Sequence, residues 1–297
     1  MRVVGSGCPS GFGRKTEGSR GTRKGEDDMR AYIENKVAVI TGGASGIGLA
    51  LGEEMLSLGA RRVVLADLNE EKLRKESERL DATYPGKVLG VPTDVTNRER
   101  VFSMIEKASE FGEGRIDLLL NNAGLGLAKA FDDTTEEDWT FAFNVNFYSA
   151  LYGIRAVLPI MRSQEGGGHI ANTASGIVFS PMPLQSMYSA TKAALMALTS
   201  SLRSELWDDH IRLSTVIPGT VATPIWDKAG GSPKGAITPQ ESAQGIIKGL
   251  AANERIIIIT EEDKSGARNH FLPEYSEGVD AYFLDVARRR KRGEIVI

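Results

Sequence analysis

A doubly wound α/β fold built on one parallel sheet is predicted by three observations. Short, largely apolar runs at residues 63–66, 88–91, 118–120, 169–172, 212–217 and 256–259 have the composition of strands buried on both faces. Segments with helical spacing of apolar residues separate them, near 73–80, 101–111, 135–161, 189–207 and 239–251. A glycine-rich turn follows the first strand. No linker composition or internal repeat interrupts residues 35–260, so these form one domain. A chain of 297 residues with 41% hydrophobic side chains can bury one large core or two small ones.

The first strand is Val37-Ala38-Val39-Ile40, with a β-branched majority and a polar residue before it. Thr41-Gly42-Gly43-Ala44-Ser45-Gly46-Ile47-Gly48 comes next, then Leu49, Met55 and Leu56 on a helical pattern. Strand, glycine turn and helix form the setting a pyrophosphate needs. Gly42 permits the tight turn, Gly46 lets backbone approach the phosphates, and Gly48 allows close helix–strand packing, with charge resting on the helix N-terminus. Asp67 ends the second strand, nineteen residues after Gly48. A carboxylate there can accept hydrogen bonds from adenosine ribose hydroxyls, and it can equally cap a helix starting near Asn69. No cation occupies Ala44, Ser45 or Leu68 to receive a 2′-phosphate, so NAD is expected over NADP. Together these features predict a Rossmann-type sheet.

Tyr188 and Lys192 lie one helical turn apart, and Ser175 precedes the tyrosine by thirteen residues. A phenol with a reference pKa of about 10 is a poor base at neutral pH. An ammonium on the same helix face, aided by an oxidised nicotinamide, is expected to favour the phenolate. Ser175 then hydrogen-bonds the substrate oxygen while Tyr188 exchanges the proton. Spacing alone does not carry this. Tyr32 and Lys36 repeat it just ahead of the first strand, with neither a matching serine nor an upstream nucleotide signature.

Across roughly residues 35–260 the chain resembles the short-chain dehydrogenases/reductases, with every main motif in order. Residues 41–48 are similar to the family's cofactor loop, which implies contacts from Ser45 and Ile47 beside Gly42, Gly46 and Gly48. Asp94-Val95-Thr96 resembles the adenine-contacting segment, and Asn121-Asn122-Ala123-Gly124 the motif that stabilises the sheet and flanks the cofactor. Asn146 stands where the family's catalytic asparagine lies, joining Ser175, Tyr188 and Lys192. The resemblance implies that Lys192 also holds the nicotinamide ribose and that Asn146 anchors a water linking Lys192 to solvent. A bulge- or cap-satisfying role for Asn146 is compatible with that relay. Pro218-Gly219-Thr220-Val221-Ala222-Thr223 is similar to the Pro-Gly turn and the threonine that meets the carboxamide, implying contacts from Pro218, Gly219, Val221 and Thr223.

The ends differ from the body. Residues 1–28 are rich in Gly, Ser, Arg and Lys without apolar periodicity, so residues 1–34 are expected to be a disordered extension or tag, with Met29 the expected true start. Cys8, the sole cysteine, supports neither a disulfide framework nor a thiol nucleophile. Residues 261–297 depart from the family's commonest ending. Glu261-Glu262-Asp263-Lys264 leads to a helix from Ser276, with Val279, Tyr282, Phe283 and Val286 on its stripe, packed on the same domain. The basic run at 288–292 is the solvated end of that helix.

A net charge of −3 suggests no nucleic-acid partner, and no stretch approaches the roughly 20 apolar residues of a membrane span. The three histidines lack metal-ligand spacing, so no metal site is expected. These features point to a cytoplasmic oxidoreductase acting on a small-molecule secondary alcohol or ketone. Residues 224–237 form the expected lid, and Leu127, Ile177, Val178, Leu184, Met187 and Trp226 the expected apolar pocket. Two other readings stand beside it: a non-catalytic NAD(H)-binding regulator, and a sugar-nucleotide epimerase or dehydratase of the related extended class. The resemblance also implies a homo-oligomer, dimer or tetramer, through the helices near 150–161 and 189–207, where Ala190, Ala193, Ala194, Ala197 and Ser200 are small enough for close contact.

Overall fold

The computed structural model describes residues 18–223, 233–269 and 276–294. Its strands are β1 (Val37–Thr41), β2 (Arg62–Asp67), β3 (Val88–Pro92), β4 (Leu118–Asn121), β5 (Gly168–Thr173), β6 (Ile211–Ile217) and β7 (Ile256–Ile258). All pair in parallel, in the order β3-β2-β1-β4-β5-β6-β7. The order reverses between β1 and β4, whose following loops therefore diverge and leave a crevice at the carboxyl edge of the sheet. This is the Rossmann-type doubly wound sheet that the sequence predicts.

Helices α1 (Gly18–Ile33), α2 (Gly46–Ser57), α3 (Glu70–Thr83), α4 (Arg98–Phe111), α5 (Glu136–Phe143), α6 (Ser149–Ser163), α7 (Ser186–Glu205), α8 (Pro239–Ala251), α9 (Glu261–Asn269) and α10 (Ser276–Lys291) complete the described elements. None of the described helices is long and apolar enough to cross a membrane. The two-residue period of a strand divides the core. Ala38, Ile40, Val63, Leu65, Leu118 and Leu120 join Leu51, Met55, Ile246 and Ile247 on one face. Val39, Val64, Ala66 and Leu119 join Val101, Met104, Ile105, Ile154 and Val157 on the other. Helix starts carry their own signals: Asn69 and Asn97 accept the amides of Lys72 and Arg100, and capping boxes pair Thr135 with Asp138 and Thr238 with Glu241.

Three differences from the sequence expectation have physical causes. The single helix expected over 135–161 is interrupted by a π-helical turn, Asn144–Tyr148, where the Ser149 amide donates to Asn144 O. Residues 18–33, within the stretch 1–34 expected to be disordered, lie in α1. The apolar anchors Met29, Tyr32 and Ile33 sit in its last turn and pack against the α2–α8 core, Ile33 fully buried, just beyond the stretch that lacks periodicity. At the other end, α9 has no buried residues and so gives no periodic pattern. It starts instead from Thr260, whose hydroxyl donates to Asp263 Oδ2 at 2.8 Å and accepts the Asp263 amide at 3.2 Å, with Glu261 and Glu262 beside the helix N-terminus. Helix α10 forms as expected, but Tyr282 is 53% exposed and lies off the buried stripe. Residues 224–232 of the expected lid, Trp226 among them, fall outside the described residues. The flanks of that segment are joined, since Ala222 N donates to Ile237 O and Ile237 N to Thr220 O, both at 2.9 Å.

Tyr32, the decoy of the sequence pattern, has a structural task at the amino edge of the sheet. Its hydroxyl lies 2.8 Å from His169 Nδ1, and His169 Nε2 lies 2.9 Å from Ser214 Oγ. Ser214 Oγ donates to Glu254 O at 2.5 Å, so it accepts from His169 Nε2–H, and Nδ1 accepts from Tyr32. Burial drives the His169 pKa down to about 3, with Arg203, Arg212 and Lys36 pushing the same way.

Between pH 6.5 and about 3 the unfolded chain therefore binds a proton at His169 that the folded chain does not. Stability should fall as pH drops through this window, by about 2 kcal/mol at pH 5 relative to pH 7. The slope of Tm against pH over that range should flatten in His169→Gln, and an unchanged slope would show that this histidine does not control acid stability. Tyr32→Phe should cost about 1–3 kcal/mol by leaving Nδ1 unpartnered, read as a lower unfolding midpoint at constant pH.

Candidate active site

Ser175, Tyr188, Lys192 and Asn146 come from three elements that end at the β4–β5 side of the crevice. Ser175 lies two residues past the end of β5 and accepts the Ile177 amide at 3.3 Å, opening a short 3-10 turn, Gly176–Val178. Tyr188 and Lys192 occupy the first two turns of α7. The Ser175 hydroxyl is near enough to the Tyr188 phenol to act on its acidity. Lys192 Nζ lies 5.9 Å from the centre of the Tyr188 ring and donates to Thr173 O at 2.7 Å.

Asn146 is held by the π turn, 1% exposed. Its Oδ1 accepts the Leu125 amide at 2.9 Å, while Nδ2 donates to Leu125 O at 3.1 Å and to Thr191 Oγ1 at 3.3 Å. Thr191 in turn donates to Tyr188 O at 2.9 Å. The sequence reading passed over Thr191. Its signal was its place three residues after Tyr188, on the same helix face. Beneath the site, Asn121 Nδ2 donates to Asn172 Oδ1 at 2.8 Å and Asn172 Nδ2 to Thr199 Oγ1 at 2.9 Å, fixing β4, β5 and α7 to one another. Satisfied buried networks of this kind hold a single arrangement.

The electrostatics differ from the sequence expectation in one respect. Burial raises the Tyr188 phenol above its ordinary value, opposed by Ser175. Burial also lowers Lys192 to about 8.

The β1–α2 turn has the shape a dinucleotide needs. Gly42 and Gly46 adopt φ of +67° and +55°. A Cβ on Gly48 would stand 2.1 Å from Gly42 O, and one on Gly46 3.0 Å from Thr223 Cγ2. Thr41 Oγ1 accepts the amides of Asn122 and Ala123 at 3.0 and 3.1 Å, binding the two loops of the crevice together. A Cβ on Gly124 would lie 3.0 Å from Asn146 Oδ1 and 3.1 Å from Lys192 Nζ, so that motif reaches the reactive end. Asp67 accepts the Ala44 amide at 3.1 Å and the Asn69 amide at 2.9 Å, one on each oxygen, which leaves lone pairs for a diol. Asn69, not Asp67, caps α3. Asp94 is exposed and accepts both Thr96 N and Thr96 Oγ1, with Val95 beside it. Beyond β6, the Pro218 carbonyl accepts from Ser242 Oγ at 3.0 Å, Gly219 has a φ of +85°, and Val221 bridges to Ile237 ahead of Thr223. The residues present fit a nicotinamide dinucleotide. Among the described residues no cluster of His, Cys, Asp or Glu could hold a metal ion.

Of the expected pocket residues, Leu127 and Leu184 are half-buried and Ile177 and Met187 are buried. Val178 instead packs with Met196 and Ala267 around Phe179 and Ile217. Helix α9 presses on the same turn: a Cβ on Gly176 would coincide with Asp263 Oδ1, at 1.8 Å. Only glycine next to Ser175 admits that carboxylate.

Comparison with known proteins agrees with this geometry. The chain matches the short chain dehydrogenase family over residues 36–232, and it belongs to that family. An uncharacterized oxidoreductase of Staphylococcus saprophyticus is 35% identical over 218 residues, 73% of this chain and 92% of the relative. A short-chain dehydrogenase/reductase from Burkholderia phymatum, solved in complex with NAD, superposes with a TM-score of 0.74 at 30% identity, covering 80% of this chain and 92% of that one. L-sorbose reductase from Gluconobacter frateurii, solved with NADPH and L-sorbose, gives 0.69 at 31% identity over 75% of this chain and 93% of its own. The protein is thus an oxidoreductase of the short-chain type, with a small molecule as its class of substrate.

A titration of phenolate absorbance in the cofactor-free protein, wild type minus Tyr188→Phe, should show no Tyr188 ionisation below pH about 10. A difference signal near neutral pH would mean that the protein alone activates the tyrosine. Gly176→Ala should displace α9 and lower turnover without weakening NADH binding, since the added methyl meets Asp263 and not the nucleotide loop. Equal losses in both would place the damage elsewhere.

Proposed function

We propose that the protein moves a hydride between NAD(H) and a secondary alcohol or ketone on a mainly apolar substrate, with Tyr188 as the acid–base group. The observation that carries this is the convergence of Ser175, Tyr188 and buried Lys192 at the end of a glycine cradle. When bound, the nicotinamide supplies or accepts the hydride. Ser175 orients the substrate oxygen. Tyr188 takes the hydroxyl proton from an alcohol, or returns one to the oxygen of a ketone. Because burial raises the phenol, Tyr188 serves as a base only when further positive charge enters the site. Lys192 would hold the nicotinamide ribose, and Asn146, on the other side of Gly124 from Lys192, would anchor a water that carries the proton to solvent.

Gly42, Ser45, Gly46, Ile47 and Gly48 would hold the pyrophosphate, Asp94 and Val95 the adenine side, and Asn122, Ala123, Gly124, Pro218, Gly219, Val221 and Thr223 the nicotinamide side. Solved structures similar to this chain carry NAD in one case and NADPH in another, so the preference for NAD rests on Asp67. Two like charges about 4 Å apart repel by several kcal/mol at an effective dielectric near 20, which disfavours a 2′-phosphate there. Assembly as a dimer or tetramer through α6 and α7 is supported by the exposed, small Ala193 and Ala197 on α7.

Tyr188→Phe should bind NADH normally yet lose about 10²–10⁴-fold in kcat, measured with a panel of alcohols and ketones through NADH absorbance. Retention of more than about a tenth of the wild-type kcat would remove Tyr188 from the role. Asp67→Ser should narrow the gap between the cofactors, and Asp67→Ser with Leu68→Arg should favour NADPH, each read as kcat/KM for both nucleotides with one substrate. Wild-type preference for NADPH would overturn the assignment of Asp67.

A further inference from the structure

Helix α10 lies beyond the stretch matched by the family and has no part in the chemistry above. Val286, 1% exposed, anchors it, and half-buried Val279, Phe283 and Arg290 continue the same face. Arg290 leaves that face to reach the segment that leads into α7. Its Nη1 donates to Pro183 O at 2.7 Å and lies 3.4 Å from Gln185 Oε1.

That segment needs external support. Gln185 is the N-cap position of α7, three residues before Tyr188, yet its side chain makes no capping hydrogen bond to the helix. Leu184 sits at φ +64°, a left-handed conformation that costs a residue with a Cβ about 1–2 kcal/mol. Such backbone persists only where its surroundings over-determine it. Here two groups do so from opposite sides: the Lys129 amide donates to Leu184 O at 2.7 Å, and Arg290 holds the residues on either side of Leu184. A guanidinium keeps its charge throughout the working pH range, which strengthens its bonds to a carbonyl.

We propose that Arg290 is a positioning residue for Tyr188. Its guanidinium fixes the strained turn at 183–185, and through it the first turn of α7, so that the tyrosine meets Ser175. Asp263 of α9 braces the Ser175 side against Gly176, so both halves of the Ser175–Tyr188 pair are held by the chain after β7. The proposal rests on the reading of Tyr188 as the proton-exchanging group.

The test compares full-length Arg290→Ala, Arg290→Lys and, on the exposed side of the same helix, Arg288→Ala. Arg290→Ala should lower kcat by about ten- to a hundredfold, the scale of a sub-ångström to 1 Å misplacement, while the NADH Kd stays within about twofold. Hydrogen–deuterium exchange of peptides spanning 181–188 should quicken in the same variant. Arg290→Lys, which keeps a charged donor for Pro183 O, should recover most of both, and Arg288→Ala should behave as wild type. Unchanged kcat or unchanged exchange in Arg290→Ala overturns the proposal. So does a loss that Arg290→Lys shares in full, or one matched by an equal loss of NADH affinity. If wild-type protein turns over no alcohol or ketone, the reading of Tyr188 fails, while exchange at 181–188 still decides whether Arg290 holds the turn.

Discussion

The parallel pairing of β1 with β4 is the constraint on which the rest of the molecule depends. It brings two strands distant in sequence side by side with Ala38 against Leu118 and Ile40 against Leu120. Their continuations must then part, one toward β2 and the other toward β5, and the opening between them is where a ligand can lie. Thr41 keeps that opening to one shape, because its hydroxyl accepts two amides from the loop after β4. A glycine turn on one lip and Gly124 on the other then bring backbone close where side chains would obstruct.

Chemistry at the far end of the crevice is governed by desolvation more than by the charges it contains. Tyr188 and Lys192 are both moved by burial toward their neutral forms. A site built this way is quiet by itself and responds to what binds, since a charge entering a dry region acts at short range and little screened. Several polar side chains around the site are tied down, while Ser186 Oγ and Ser189 Oγ beside Tyr188 are buried without a partner. Asn146 is used on both ends of its amide, and the Asn121–Asn172–Thr199 chain locks the layer beneath.

Both ends of the chain add structure outside the stretch matched by the family, and they do so at opposite edges of the sheet. Helix α1 docks at the amino edge through Tyr32 and its histidine, remote from the crevice. Helices α9 and α10 dock at the carboxyl edge, one against the turn after Ser175 and the other against the turn before α7. The first contributes cohesion to the domain. The second touches the two segments that present the Ser175 and Tyr188 hydroxyls, and the physical difference is one of location alone.

Much of this was determined by local sequence. Apolar runs without polar alternation specify strands buried on both faces, and the intervening helical spacing forces them to be parallel; Gly42, Gly46 and Gly48 after β1, with Asp67 after β2, mark the nucleotide crevice because only that turn needs such residues. Ser175, Tyr188 and Lys192 were legible for the same reason, being bound by short spacing on neighbouring elements. Other features depend on partners far away in the chain. The same Tyr-x-x-x-Lys spacing stands beside Ser175 at the crevice at 188–192 and forms a packing anchor at 32–36, since what surrounds each tyrosine is supplied by other elements. The π turn at Asn146 formed because Leu125 and Thr191 stand where its amide can be satisfied. The folding of α9 onto Gly176, the reach of Arg290 to Pro183 and the raised phenol of Tyr188 all follow from burial between elements, and burial is a property of tertiary structure alone.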